Sequence, residues 1–150
     1  MIEQTRYPAC HFWLVGLALF AICLSRPAVS EAAHDQEDVV DTVTPERLKY
    51  YLDNKETVTV IDLRPAKDYR EKRLPGARSI PINELDKNLK AIPRAGRVVL
   101  YCDCPQNVLI QDAYQVLKDD HGYRNIAIMP EGIKGWLQRK YPTEAGAKTN

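Results

Sequence analysis

The sequence predicts an α/β fold, with one parallel sheet of about five strands and helices on both faces. Two observations lead to this prediction. Short apolar, β-branched runs alternate with segments of helical periodicity through most of the chain, a pattern typical of parallel sheets with crossover helices. No internal repeat or long linker interrupts this alternation, so we expect a single domain.

The elements follow from local signals. Thr44-Pro45-Glu46 predicts a helix start, because Thr is a good N-cap and Pro suits the first helical position. Apolar residues at helical spacing predict the buried side of the helix after the fourth strand: Leu109, Ala113, Val116 and Leu117. The predicted strands are 39–43, 58–63, 78–81, 98–101 and 126–129, and the other helices begin near Pro65, Asn83, Asn107 and Gly132.

Composition excludes some classes of function. The chain has 21 Lys and Arg against 20 Asp and Glu, and no basic stripe, which argues against nucleic-acid binding. Hydrophobic residues make up 45% of the chain, so it is not disordered as a whole.

The first thirty residues resemble a secretory signal. A thirteen-residue apolar run, 12–24, is short for a membrane span of about 20 residues, and Ala28-Val29-Ser30 supplies small residues for a signal peptidase. We therefore expect a signal peptide at 1–30, a flexible leader at 31–41, the domain at 42–141 and a loose tail at 142–150. The protein would then be periplasmic or secreted. The alternative is an uncleaved anchor in the inner membrane, with the domain facing the periplasm.

Two cysteines stand at the centre of the sequence. The buried strand ending at Tyr101 runs directly into Cys102 and Cys104, then Pro105, before a helix begins at Asn107. Ligands bind at this edge of a parallel sheet, and a thiol near a helix N-terminus is acidified and nucleophilic. A disulfide between two cysteines one residue apart would close almost no loop and would stabilise the fold little. The pair is therefore better suited to a reactive role than to a structural disulfide.

A second strand end carries Asp62 and Arg64 at the same sheet edge. These two residues either pair and hold loops together or tune the cysteine. Surface candidates for substrate contact are Arg73, Arg78 and Lys134. Trp136 is expected in the core, and no metal site is predicted.

Four segments together resemble the rhodanese-like sulfurtransferases, over roughly residues 42–141. They are Val60-Ile-Asp-Leu-Arg-Pro-Ala-Lys-Asp-Tyr69, with its Asp-x-Arg strand end; Leu74-Pro-Gly-Ala77 with Ile80-Pro81; Val99-Leu-Tyr-Cys102; and Gly122-Tyr-Arg-Asn-Ile126 with Gly132-Ile-Lys-Gly-Trp136. The resemblance implies that Cys102 is a nucleophile that takes sulfane sulfur as a persulfide and passes it to an acceptor. It implies no metal or organic cofactor. The expected partner is a small sulfane-sulfur donor or a persulfide-accepting protein. We expect no binding to nucleic acid and no membrane contact after signal cleavage. The chain is expected to be a monomer.

The active-site loop departs from the commonest family pattern. Asn107 stands where an Arg is usual, Pro105 removes a donor N–H, and Asp103 adds a negative charge. Glu131 replaces the first glycine of a usual pair. These changes argue against thiosulfate as an efficient substrate, and the loop resembles a Cys-x-Cys-Pro variant of exported rhodanese-like domains. Other loop residues expected near the substrate are Gln106 and Val108.

Several alternatives stay open at this stage. Cys104 is either a resolving thiol for Cys102 or a small residue that fits the turn, and Cys102 itself is either the nucleophile or a buried core cysteine. The domain is accordingly a sulfurtransferase or sulfur carrier, a catalytically silent protein-binding module, or a thiol–disulfide redox protein using both cysteines. The redox reading is the least favoured, because the ring closed across one residue is expected to be strained.

The N-terminal segment gives a direct prediction. If residues 1–30 are a cleaved signal, the exported protein begins at Glu31 or His34, because small residues precede both positions. The intact mass of the exported protein measures this. A mass that still includes residues 1–30 would contradict cleavage and favour the anchor.

Overall fold

The computed structural model describes residues 39–146, which form a parallel four-stranded sheet with helices on both faces. The strand order is β2-β1-β3-β4, so β1 and β3 are the inner strands. The strands are β1 Val58–Asp62, β2 Arg78–Ser79, β3 Arg97–Tyr101 and β4 Ile126–Met129. This confirms the predicted fold class. The predicted signal, and the leader as far as residue 38, lie outside the described residues.

The predicted first strand, 39–43, is reduced to a single parallel bridge between Thr42 and Ile128. The Val43 N–H donates to the Ile128 carbonyl at 2.8 Å, and the Ile128 N–H donates to the Asp41 carbonyl at 2.9 Å. The pairing stops there, because Pro45 begins a helix. The sheet in the described residues therefore has four strands rather than about five, and the expected fifth strand is only the bridge at Thr42.

Helices fill the connections between strands. Thr44 caps the first as predicted, since its Oγ1 accepts a hydrogen bond from the Arg47 N–H at 3.2 Å. The segment after Asn83 was expected to be one helix but forms two 3₁₀ pieces, Ile82–Glu84 and Asp86–Ala91. The α-helices are α1 Pro45–Asp53, α2 Ala66–Glu71, α3 Val108–Gln115 and α4 Gly132–Gln138, and a π-helical turn, Val116–Asp120, extends α3.

Two apolar clusters lie on the two faces of the sheet because neighbouring residues of a strand point to opposite sides. In β3, Val98 and Leu100 pack on the side of α3, together with Cys102. Val99 and Tyr101 pack on the side of α4 and α1, where Trp136 is fully buried as predicted. Tyr101, the last residue of β3, therefore lies on one face of the sheet, and Cys102 lies on the other.

The buried side of this helical segment differs from the prediction at two of the four positions, because Leu109 is exposed and Val116 is only half-buried. Ile110, Ala113, Tyr114 and Leu117 face the core, whereas Leu109 is 45% exposed. The 3₁₀ turn before α3 sets which side of the helix faces the core. The spacing of apolar residues in the sequence does not reveal this rotation. Leu109 and its neighbour Val108, which is 50% exposed, are therefore on the surface beside the cysteine loop.

The C-terminal segment packs against α2 as far as the structure describes it. The Trp136 indole N–H donates to the Pro142 carbonyl at 2.8 Å. The backbones of Arg73 and Glu144 exchange two hydrogen bonds, and the Gly146 N–H donates to Arg70. Residues 142–146 are therefore tied to the domain. None of the helices within residues 39–146 is long and apolar enough to cross a membrane.

Two leucines near one another in sequence test this packing. Leu117→Ala should lower the free energy of unfolding by about 2–5 kcal/mol, because Leu117 is fully buried and its truncation leaves a cavity. Leu109→Ala should change it by about 0.5 kcal/mol or less, because that side chain is half exposed. Urea denaturation of both variants measures the difference, and equal losses would show that the phase of α3 is wrong.

Candidate active site

The ends of the two inner strands bring the predicted site residues together. In the parallel register Asp62 of β1 lies beside Tyr101 of β3, and Tyr101 lies beside Met129 of β4. Cys102 follows Tyr101 directly and therefore lies at the carboxyl edge of the sheet, in the middle of it. This is the edge at which open parallel sheets bind ligands.

Cys102 and Cys104 are joined by a disulfide bond. Their Cα atoms are 5.4 Å apart, within the ordinary range for disulfides. Cys102 is only 8% exposed and packs in the core cluster on the α3 side, while Cys104 is half-buried at the edge of that cluster. The structure therefore shows that the two sulfur atoms reach each other, a point that the sequence left open.

The loop after the disulfide bends through two left-handed residues. Pro105–Asn107 form a 3₁₀ turn in which Gln106 has φ +56° and Asn107 has φ +58°. Asn tolerates this conformation, but Gln does so poorly, and each such residue costs on the order of 1–3 kcal/mol. Strained backbone of this kind concentrates at functional sites. Asn107, which replaces the usual loop Arg, brings no charge to the turn.

A buried ion pair lies under the cysteine loop. The Arg64 Nε and Nη2 atoms donate to the two carboxylate oxygens of Asp62 at 3.0 and 2.6 Å, and the Arg64 N–H donates to the same carboxylate at 3.0 Å. The Tyr101 hydroxyl also donates to Asp62, in a short hydrogen bond, and accepts one from the Leu74 N–H at 3.3 Å. Asp62 and Arg64 therefore pair and tie several loops together, which is one of the two roles that the sequence predicted.

The Asp62 carboxylate keeps the Arg64 guanidinium charged despite its burial. Burial alone would lower the pKa of Arg64, but the hydrogen bond and charge of Asp62 outweigh it and raise the pKa above its ordinary value. Burial, and then the neighbouring Asp62 carboxylate, raise the pKa of Tyr101 well above 10. Tyr101 therefore stays protonated and keeps donating to Asp62 at any pH near neutrality.

Asp103 links the ion pair to the disulfide. Its Oδ2 atom lies 3.9 Å from Arg64 Nη1. Its Oδ1 atom is buried and has no hydrogen-bond partner among the described residues. Gly132 lies directly against this segment with φ +56°, and a Cβ there would overlap the Cys102 carbonyl oxygen and lie 2.7 Å from Asp103 Oδ1. Glycine is therefore required at position 132 for the loop to sit where it does.

Glu131 is not directed at the cysteine loop. Its carboxylate accepts a hydrogen bond from Arg139 Nη1 at 2.7 Å, and Arg139 also binds Glu46 of α1. Arg139 therefore bridges the two carboxylates and joins α1 to the end of α4. Of the departures from the family loop, Asp103, Pro105 and Asn107 remain beside the cysteines.

Of the three predicted surface contacts, only Lys134 lies near the site. Arg73 is buried, because it pairs with Glu144 at 3.2 Å and donates to the Gly146 carbonyl at 2.6 Å, so its prediction as a substrate contact is wrong. Arg78 donates to the Ala91 carbonyl at the edge strand.

Lys134 lines a shallow cleft of about 330 Å³ beside the loop. The cleft contains charges of both signs, and its lining residues are Arg64, Asp68, Glu71, Lys72, Asp103, Ile133, Lys134 and Leu137. Sequence reasoning missed Lys72 and Leu137, which carry no motif and meet only because α2 and α4 converge. Within residues 39–146 no cluster of three or more His, Cys, Asp or Glu residues is placed to hold a metal.

The structure combines a parallel sheet with a cysteine that directly follows an inner strand. The family model for the rhodanese-like domain matches residues 44–139, so the chain belongs to the rhodanese-like domain family. A curated relative is the HTH-type transcriptional regulator Rv0324 of Mycobacterium tuberculosis, 31% identical over 90 residues. The match covers 60% of this chain but only 39% of the regulator.

Solved structures agree on the fold. The rhodanese-like domain of the Anabaena protein Alr3790 has a TM-score of 0.63 and 20% identity, covering 75% of this chain and 90% of that one. A rhodanese-related protein of Thermoplasma volcanium has a TM-score of 0.59 and 21% identity, covering 69% and 97%. A thiosulfate sulfurtransferase of Pseudomonas aeruginosa has a TM-score of 0.61 and 22% identity, covering 73% of this chain and 21% of that protein.

The buried pair gives a prediction with a matched control. Asp62→Asn should lower the free energy of unfolding by about 3–5 kcal/mol, because it leaves the buried Arg64 charge without its carboxylate. Asp53→Asn removes the carboxylate of an exposed helix pair with Lys49 and should cost about 0–1 kcal/mol. Chemical denaturation of the two variants makes the comparison, and a small loss for Asp62→Asn would mean that the pair does not anchor the loop.

Proposed function

We propose that this protein is a sulfurtransferase or sulfur carrier that moves sulfane sulfur through a persulfide on Cys102. The observation that carries the proposal is the position of Cys102: it follows the inner strand β3, and its sulfur atom lies within bonding distance of Cys104. The family assignment supports the same reaction type. Cys102 is the proposed catalytic residue, and Cys104 is the proposed resolving residue.

The reaction needs the reduced form. The Cys102 thiolate attacks the outer sulfur of a donor R–S–SH, forms the Cys102 persulfide and releases RS⁻. An acceptor thiolate then attacks that outer sulfur and takes it, which regenerates the Cys102 thiolate. If Cys104 attacks the inner sulfur instead, the Cys102–Cys104 disulfide forms and hydrosulfide leaves.

The charges of the loop residues bear on which sulfur donors can approach Cys102. Asp103 stands between the two cysteines in the chain, and its negative charge opposes the approach of a dianion such as thiosulfate. Gln106, Asn107 and Val108 form the uncharged edge of the loop. We therefore propose a neutral or zwitterionic small persulfide, or a protein persulfide, as the partner, and a compartment outside the cytoplasm if residues 1–30 act as a signal.

A second candidate function is thiol–disulfide exchange by the two cysteines, and the disulfide itself is the observation that favours it. A third is a catalytically silent module that binds a protein. The curated relative named as a transcriptional regulator supports this third candidate, because there the similar segment occurs in a protein with that name.

Sulfur loading separates these candidates. We expect the reduced protein to gain about one sulfur atom on the peptide containing Cys102 when it is treated with a sulfane donor, as seen by mass spectrometry. Cys102→Ser should abolish loading, because the proposed nucleophile is lost. Cys104→Ser should retain it and lengthen the lifetime of the persulfide after the donor is removed, because the resolving thiol is lost.

The outcomes that contradict the proposal are distinct. Loading of Cys102→Ser on Cys104 would reverse the two roles. A protein that takes no sulfur from any donor, while its disulfide opens and closes with thiols, would favour the redox function. A protein that does neither would favour the binding module.

A further inference from the structure

Beside the disulfide lies an uncharged and partly apolar surface, made of Pro105, Gln106, Val108 and Leu109. All four residues are exposed, and Val108 and Leu109 are 50% and 45% exposed. No residue from Cys104 to Gln111 carries a charge, although 27% of the chain is charged. We call these four residues the loop–helix patch.

The disulfide next to this patch has one accessible end. Cys102 is 8% exposed and lies in the core cluster, whereas Cys104 is half-buried at the rim and precedes the patch in the chain. The bond spans a single residue, so it closes a very short loop and adds little to the stability of the fold. An incoming thiolate therefore meets Cys104 first.

We propose that the loop–helix patch docks a dithiol protein that reduces the Cys102–Cys104 disulfide. This inference rests on the proposed function, since the reduced Cys102 is the form that accepts sulfur. The partner is a protein whose reactive cysteine is surrounded by an apolar, uncharged surface, because such a surface buries Val108 and Leu109 without leaving a charge unpaired. A charged partner surface would lose its hydration against this patch and gain no opposite charge from it.

The exchange balances in two steps. A partner thiolate attacks Cys104 Sγ, which forms an intermolecular disulfide and releases the Cys102 thiolate. The second partner thiolate then attacks the partner's own sulfur in that bond and releases the Cys104 thiolate. The partner loses two electrons and becomes a disulfide, and this protein gains them as a dithiol after taking up two protons.

The test compares a protein reductant with a small one on the same disulfide. The full chain carries Cys10→Ser and Cys23→Ser, so that only one disulfide is present, and its reduction is followed with thioredoxin and, separately, with dithiothreitol. Val108→Glu with Leu109→Glu should slow reduction by thioredoxin about tenfold or more, because two charges are placed in the docking surface. Reduction by dithiothreitol should stay within about twofold, because a small dithiol does not cover the patch.

Gln115→Glu is the matched control, an exposed residue of the same helix, farther along it from Cys104. It should leave both rates unchanged. Equal slowing by Gln115→Glu, or no slowing of thioredoxin by the double variant, would overturn the docking proposal. Equal slowing of both reductants by the double variant would also overturn it, because the change would then lie in the disulfide and not in docking.

A trapping experiment identifies the attacked sulfur. A thioredoxin variant without its second cysteine should remain attached to Cys104, as read by fragmentation of the peptide that contains both cysteines. Attachment to Cys102 would contradict the proposed geometry. No sulfur donor is present in either experiment, so a failure here is distinct from a failure of sulfur loading.

Discussion

The buried Asp62–Arg64 pair is the interaction on which the site depends. Asp62 closes β1 and accepts hydrogen bonds from Arg64 and from Tyr101 at the end of β3, so one carboxylate joins the ends of both inner strands. Arg64 also donates to the Lys72 carbonyl at 2.6 Å and faces Asp103. The position of the cysteine loop therefore rests on a charge pair in which the Nε and Nη2 atoms of Arg64 both donate hydrogen bonds, and buried charges are tolerated when they are paired in this way.

Because side chains alternate along β3, the Asp62–Arg64 ion pair and the Cys102–Cys104 disulfide lie on opposite faces of the sheet. Tyr101 points to the α4 face and joins the ion pair, while Cys102 points to the α3 face and joins the disulfide. The mixed-charge cleft is lined by α2 and α4, and the loop–helix patch begins α3. The cleft and the patch therefore belong to different elements around the cysteine loop.

Local signals in the sequence identified most of the fold. The Thr44 cap and the start of the last helix at Gly132 are short-range features that are found where they were predicted. The strands predicted at 58–63, 98–101 and 126–129 are also found there, to within one residue at each end. The placement of Cys102, Asp62 and Arg64 at one edge followed from the rule that parallel strands end together.

The errors arise where the sequence carries no local signal, or where the partner that decides the outcome is distant in the chain. Leu109 was assigned to the core because the 3₁₀ turn that rotates α3 has no spacing signal. Arg73 was assigned to the surface because its partner, Glu144, lies 71 residues away. The first strand was predicted to extend over 39–43, but it forms only one bridge, between Thr42 and Ile128. The disulfide was left open because sequence gives the spacing of two cysteines but not the direction of their side chains.

The central claim is that Cys102 carries sulfur and that Cys104 can displace it. Hydrosulfide release tests this claim most directly. The reduced protein is loaded with less than one equivalent of inorganic polysulfide, desalted, and kept free of other thiols. We expect release of about one hydrosulfide per loaded persulfide, together with loss of the free Cys104 thiol as the Cys102–Cys104 disulfide forms, and no such release from Cys104→Ser. A loaded protein that releases no hydrosulfide, and keeps the Cys104 thiol free while its sulfur stays on Cys102, would contradict it.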